Sequence, residues 1–407
     1  MLINLKVKNC YAFNDEVKLS LKADMRTKKF TSNIINLDNH NLLKSVGIYG
    51  SNNTGKTCLI SIFAAFKNIL LNNKHNLKAN IFNNNSICEI SVTFIENKHT
   101  YNYQLKYDSD KLQYVYERFA EIVYDEHKNA KEQIFFLRDT EKDEYLTLND
   151  NPEFLQAINY ASKDNILIYA LNVDKISILK EIKKILTTFA NRLQIISMDH
   201  LDMNKTIKIL KANDTNKTAL VNFIKNADLY LEDFKYDATK YIPSEFDNLG
   251  ELREQFKLVS VYKGKEMPSI QFDSLGTKKI AALAGYLIEA IKTNQILIID
   301  EINSSIHFKL TRAIVSLFNN DLNTNSQLIF TTHDINLMDI KTLLRKEQIW
   351  FTHKDKSRTY LYSLADFTAE KNGIRDTSDI IEKYTKGFLG AIPDPKLIDS
   401  LVEILDE

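Results

Sequence analysis

Residues 50–57 read Gly50-Ser51-Asn52-Asn53-Thr54-Gly55-Lys56-Thr57 and satisfy the pattern G-x-x-x-x-G-K-[ST] at every fixed position. Such a loop must leave a strand and open a helix, because only that geometry turns several backbone N–H groups toward one anion. Its flanks agree. Val46 to Tyr49 is a short, mostly apolar run, and Thr57 to Leu71 carries apolar residues at Leu59, Ile60, Phe63, Phe66 and Leu70, which is helical spacing. Glycine is scarce, 10 in 407 residues against a usual share of about 7%, yet two of the ten bracket this loop. The alternative is a turn that merely caps a helix. As a phosphate cradle, residues Gly50 to Thr57 and the following Cys58 would contact a nucleotide. Lys56 would reach the β- and γ-phosphates, and the Thr57 hydroxyl would ligate Mg²⁺.

Residues 296–301, Ile296-Leu297-Ile298-Ile299-Asp300-Glu301, are four large aliphatics tipped by two acids. A continuous apolar run suits a strand buried on both faces of a parallel sheet. Ligands of such sheets bind at the carboxyl ends of strands. Asp300 is therefore expected to hold Mg²⁺ through water, and Glu301 to orient or deprotonate the attacking water. The plainer alternative is that both acids only cap the next segment.

Charge is balanced, 53 basic against 53 acidic residues, which gives no global attraction to nucleic acid or anionic membrane. A local patch stays open at Lys180, Lys183 and Lys184, although such a cluster also reads as a solvated helix face. Cys10, Cys58 and Cys88 fit neither a disulfide framework nor a zinc pair and suit a reducing compartment. The histidines lack H-x-x-x-H or H-E-x-x-H spacing, so a protein-ligated metal cluster is unsupported. No run reaches ~18 apolar residues, and the N-terminus alternates like a strand rather than a secretion signal. A soluble, cytoplasmic protein without a membrane partner is expected.

Alternation at Ile3–Val7 and Val17–Leu21, with Asn14-Asp15 between, predicts an antiparallel hairpin. Further strands are expected at Ile90–Ile95 and Tyr101–Tyr107. From about 150 to 240 the pattern turns helical. Ile178, Leu179, Ile182, Ile185 and Leu186 mark one helix, and Leu220, Phe223, Ile224, Ala227 and Leu231 another. A hairpin is expected from Leu258–Tyr262, a turn at Lys263-Gly264-Lys265, and Ile270-Gln271-Phe272. Helix, strand, helix and strand follow at Lys278–Ile291, 296–301, near 305–318, and Gln327–Phe330, an α/β alternation with parallel strands. The expected organisation is an N-terminal core portion at 1–110, a mixed then mainly helical inserted lobe at 111–250, a C-terminal core portion at 251–365, and a helical tail at 366–407.

Two features choose among nucleotide-binding families. Ser274-Leu275-Gly276-Thr277-Lys278-Lys279 opens a helix upstream of Asp300. His333, in Thr331-Thr332-His333-Asp334, follows directly on an apolar strand. With these, the chain resembles the ABC-type ATPase superfamily in its RecF/SMC-like, OLD-like branch, from the opening hairpin to about residue 365. The resemblance implies a P-loop fold with a mixed or parallel core sheet, an N-terminal antiparallel β subdomain and an inserted helical lobe. It implies that Ser274, Gly276 and Thr277 form a signature loop touching nucleotide held by a second protomer. It also makes 303–306 the loop linking protomers and His333 a switch at the γ-phosphate. ATP and Mg²⁺ are the implied ligands, an ATP-sandwich homodimer the implied assembly.

Within that branch the chain is similar to AAA-type ATPases of bacterial phage-defence and abortive-infection operons. The likeness lies in Asp273–Lys279, Ile299–His307 and Phe330–Asp334, and in Tyr384-Thr385-Lys386-Gly387-Phe388-Leu389-Gly390-Ala391-Ile392-Pro393 near the end. Two positions depart from the usual pattern. Asn53 stands where glycine or alanine is common, and asparagine tolerates left-handed backbone angles. Leu275 replaces the glycine of transport-type relatives. Gln104 and Gln133 are both open as the Mg²⁺-sensing glutamine. The expected function is an ATP-hydrolysing switch that controls a separately encoded effector, plausibly a nuclease or toxin, in defence against phage. A DNA-repair ATPase clamping duplex ends is the alternative, and a non-catalytic nucleotide-binding scaffold a third.

Overall fold

The computed structural model describes residues 1–212, 215–227, 230–240, 250–375 and 377–392. The helical-tail expectation for 366–407 is met there only by short helices at Ala369–Asn372 and Ile380–Thr385, and 393–407, including Pro393, lies outside the described residues.

Ten elements build the core around the predicted loop. β1 (Ser45–Tyr49) leads into it and α1 (Lys56–Asn72) leaves it. α2 (Ser177–Arg192) runs without a turn into β2 (Leu193–Ser197). α3 (Leu275–Lys292), β3 (Ile296–Asp300), α4 (Phe308–Phe318) and β4 (Gln327–Thr332) follow, then β5 (Ile349–Asp355) and β6 (Arg358–Ser363). The six strands form one sheet in the order β2-β3-β4-β1-β5-β6, parallel throughout except for β6. β1, β3 and β4 are buried along their whole lengths, which is why each carries a mostly apolar run.

A second sheet of seven antiparallel strands runs in spatial order 144–147, 130–139, 113–124, 99–108, 87–96, 2–8 and 17–20. Its hairpin over Asn4–Val7 and Val17–Ser20 matches the sequence reading. Gln327, at the start of β4, clamps the two sheets. Its amide accepts from Leu2 N at 2.7 Å and donates to the carbonyls of Leu2 and Leu43. α1 lies between the sheets, so apolar residues surround most of its circumference: Phe66 meets Tyr103 of the antiparallel sheet at 6.2 Å between ring centres. Nine of its seventeen residues are buried, the pattern of a core helix rather than a surface one.

Four expectations need correction. The boundary at 110 falls inside a hairpin, because Tyr107 and Asp108 pair with Tyr114 and Gln113 and the same sheet continues to Thr147. Leu193–Ser197, expected in the helical lobe, is an edge strand of the core sheet. Ile270–Phe272 is a helical turn, since Pro268 has no N–H to extend the strand and ends it at 265–268. The helix expected to reach Leu231 stops at Asn226. Two of the three lysines of α2 make ordinary surface contacts: Lys180 pairs with Asp174 and Lys183 lies over Tyr169.

Candidate functional site

The phosphate loop closes where β1 ends. Gly55 caps α1 with φ +96°, and Asn53 takes φ +60°, the left-handed angle its side chain tolerates. Gly50 is required by a close approach, since a Cβ there would stand 2.4 Å from Thr352 Oγ1. α1 begins with no side-chain cap and no acid in its first turn, whereas Ser274 caps α3 and His307 caps α4. The first N–H groups of α1 are thus offered to an anion instead of a side chain. Asn52, Asn53 and Thr57 are exposed beside them. Cys58 is half-buried, and burial pushes its thiol up.

Lys56 is buried, with its Nζ donating to the carbonyls of Gly50 at 2.9 Å and Ser51 at 2.8 Å. Burial lowers its pKa, while the charges of Asp300 and Glu301 act in the opposite sense. His333 is also lowered by burial, then by Lys56, with Asp300 opposing. Lys56 thus lies within reach of the charges of Asp300 and Glu301, and His333 within reach of those of Lys56 and Asp300. Register explains why. Ile299 pairs with Phe330 and Phe330 with Gly47, so the tip of β3 lies two strands, about 10 Å, from the end of β1.

Thr331 fixes the two acids. Its buried hydroxyl donates to Asp300 Oδ1 at 2.5 Å and accepts the Glu301 N–H at 2.8 Å. Glu301 itself has φ +55°, a conformation that non-glycine residues avoid and that sites hold by surrounding contacts. Asn303 ties the next loop to the switch segment, accepting from Thr332 Oγ1 at 2.8 Å and from His333 N at 3.4 Å. Sequence places Asn303 in the expected protomer-linking loop and Thr331 and Thr332 beside the expected switch histidine, but it shows none of these contacts, because hydroxyl and amide bonds across strands leave no local pattern.

The signature segment sits on the other side of the 303–306 loop. Ser274 accepts the Thr277 N–H at 3.1 Å, the capping role that its position allows. A Cβ on Gly276 would stand 2.9 Å from Ser305 O, so glycine lets this loop lie against the helix start. Lys279 reaches Ser304, Ser305 and Asp199, and Ser304 donates to Asp199 at 2.7 Å. These contacts hold the Asp199 carboxyl below its usual range, the serine hydroxyl first. Buried Asp273, just before the signature, accepts hydroxyls from Ser260, Tyr262 and Ser269, which anchors the 258–268 hairpin. Ser274, Gly276 and Thr277 line a cleft of about 580 Å³ with Ser305, His307 and Lys309. Phe272, Leu275 and Phe308 are exposed nearby.

The donor set suits a nucleotide with a hard cation. Among the described residues no group of three or more His, Cys, Asp or Glu could hold a metal. A cation held by Thr57 and Asp300 would take its other ligands from phosphate and water. Neither glutamine candidate reaches this place by hydrogen bond: Gln104 donates to Asn102, and Gln133 is exposed on the antiparallel sheet.

The family described as an AAA domain, putative AbiEii toxin, Type IV TA system, matches residues 45–339, well over half of the chain. The chain belongs to this AAA family. It is accordingly an ATPase of the AAA type, and the loop at 50–57 lies inside the matched region. No curated protein matches. Solved structures similar to this chain include the SMC head domain from Thermotoga maritima, at 12% identity and TM-score 0.44 over 89% of this chain and 98% of that one. Another is an SMC head bound to the C-terminal winged-helix domain of ScpA, at 12% identity and TM-score 0.47 over 91% and 99%. Among the described residues no helix is long and apolar enough to cross a membrane.

Proposed function

We propose that the chain is an ATP-hydrolysing switch whose closure as a homodimer controls a separately encoded effector in defence against phage. The reading rests on one observation above the others: the register of three neighbouring parallel strands puts the phosphate loop after β1, Asp300 and Glu301 at the tip of β3 and His333 after β4 at the same end of the sheet, far apart though they are in sequence. Residues 50–58 bind the triphosphate. Glu301 orients the attacking water and takes its proton, Lys56 stabilises charge gathering on the γ-phosphate, and His333 contacts that phosphate from the end of β4. Mg²⁺, held by Thr57 and through water by Asp300, neutralises phosphate charge.

Dimerisation is supported by the cleft at Ser274–Thr277, beside which Phe272, Leu275 and Phe308 are exposed among the described residues. In the closed dimer Ser274, Gly276 and Thr277 meet the triphosphate of the facing protomer. The contacts of Lys279 and Asn303 through 303–306 connect each protomer's own acids to the signature face it presents. The effector role is supported by the toxin–antitoxin wording of the family description. Size-exclusion chromatography of Glu301→Gln with Mg-ATP tests the assembly. A shift from monomer to dimer is expected, and Leu275→Lys should block it. A chain that stays monomeric at saturating nucleotide removes the switch reading.

A further inference from the structure

Residues 384–392 have no part in the chemistry above, yet they reach the phosphate loop. Ser51 N–H donates to Ala391 O at 3.1 Å. Ala391 N–H in turn faces His353 Nδ1 at 3.4 Å, and Tyr384 Oη donates to Ala391 O at 2.9 Å. One residue before His353 in β5, Thr352 Oγ1 lies 2.7 Å from Thr54 Oγ1, and Thr54 Oγ1 donates to Ser51 O at 2.8 Å. The contacts close a circuit, Ser51 to Ala391 to β5 to Thr54 and back to Ser51. Ser51 O also accepts Lys56 Nζ. The residue that the terminal segment grips is thus the one on which the phosphate-binding lysine rests.

The grip is built rather than incidental. Ala391 is 1% exposed and holds φ +58°, a left-handed angle that alanine avoids unless its surroundings fix it. Tyr362 Oη donates to Leu389 O at 2.7 Å, and a Cβ on Gly390 would stand 2.9 Å from that hydroxyl. Leu389 is fully buried, and the Tyr384 ring stacks on Phe351 of β5 at 5.8 Å between centres.

We propose that residues 384–392 are a strap that positions the first peptides of the phosphate loop, with Tyr384 and Ala391 as positioning residues for nucleotide binding. The inference depends on the loop being a nucleotide site. Linkage makes the coupling reciprocal: a strap that favours the binding conformation is itself stabilised by nucleotide. Anything that peels the strap away weakens ATP binding without touching ATP.

Hydrogen–deuterium exchange on the full chain, with and without a non-hydrolysable Mg-ATP analogue, tests this. Amides at 51 and 388–392 should exchange at least threefold more slowly with nucleotide, and Lys56→Ala should abolish the difference. Tyr384→Phe keeps the ring and loses only the hydroxyl. Its KM for ATP should rise three- to tenfold, the range expected for one lost hydrogen bond, with kcat falling by less than KM rises. Ala391→Pro, which cannot adopt φ +58°, should do the same. Unchanged exchange at 388–392 in a protein that binds a fluorescent ATP analogue, with wild-type KM for Tyr384→Phe, overturns the strap and leaves the nucleotide site standing. Failure of the wild-type chain to bind the analogue overturns both.

Discussion

Thr331→Val isolates the contact that holds both acids. The side chain is 0% exposed, and valine keeps its shape while removing the hydroxyl. Two hydrogen bonds vanish: the donor to Asp300 Oδ1 at 2.5 Å and the acceptor for Glu301 N at 2.8 Å. A bond to a charged group contributes about 1.5–3 kcal/mol, and an orphaned N–H adds about 1 kcal/mol where water can partly reach it. Glu301 is half-buried, so the smaller value applies to its amide. The sum is about 2.5–4 kcal/mol, below the roughly 5–15 kcal/mol that keeps a domain folded. The variant should fold, with a lower urea midpoint. Misplaced acids should reduce Mg-ATP turnover by about 10- to 100-fold. Thr331→Ser retains the hydroxyl and should recover most turnover. Equal stability and turnover for the valine and serine variants would refute the assigned role.

Further expectations concern the scaffold. Arg138 and Glu117 form a buried ion pair at 2.9 Å, with Tyr103 Oη and Leu167 N also on the carboxylate. Burial raises Glu117 despite these donors, so Arg138→Met should cost about 3–5 kcal/mol in denaturant unfolding. His40 is buried against Thr100 and Tyr124, and burial lowers it from 6.5 to about 4. The unfolded chain then takes up the proton first, so its contribution is intact above pH 6.5 and lost as pH falls toward 4. His40→Gln should flatten unfolding midpoints between pH 6.5 and 4; a slope identical to wild type would contradict this.

The loop and the acid-tipped strand were legible because each is continuous in sequence and each has one dominant constraint, phosphate geometry in one and burial on both faces in the other. The opening hairpin was legible by alternation. Leu193–Ser197 was not, because an edge strand that follows Arg192 without a turn extends an apolar helical pattern. Ile270–Phe272 reads equally as strand or helix at that length, and Pro268 decided it. The antiparallel sheet beyond 110 was obscured where Glu117, Arg118 and Arg138 interrupt its apolar pattern, and two of these pair with each other inside the core. Thr331, Asn303, Asp273 and Ala391 act through partners 4 to 340 residues away. All four lie in motifs that the sequence displays, but their contacts leave no mark there, and the role of Ala391 comes from a backbone carbonyl that no residue type advertises.

The central claim is that the lysine loop and the paired acids serve one Mg-ATP. Single-turnover ATP hydrolysis by the purified chain, beside Lys56→Ala and Glu301→Gln, tests it most directly. Glu301→Gln should bind Mg-ATP as wild type does and lose at least 100-fold in the hydrolytic step, while Lys56→Ala should fail to bind. Wild-type hydrolysis by Glu301→Gln would contradict the account.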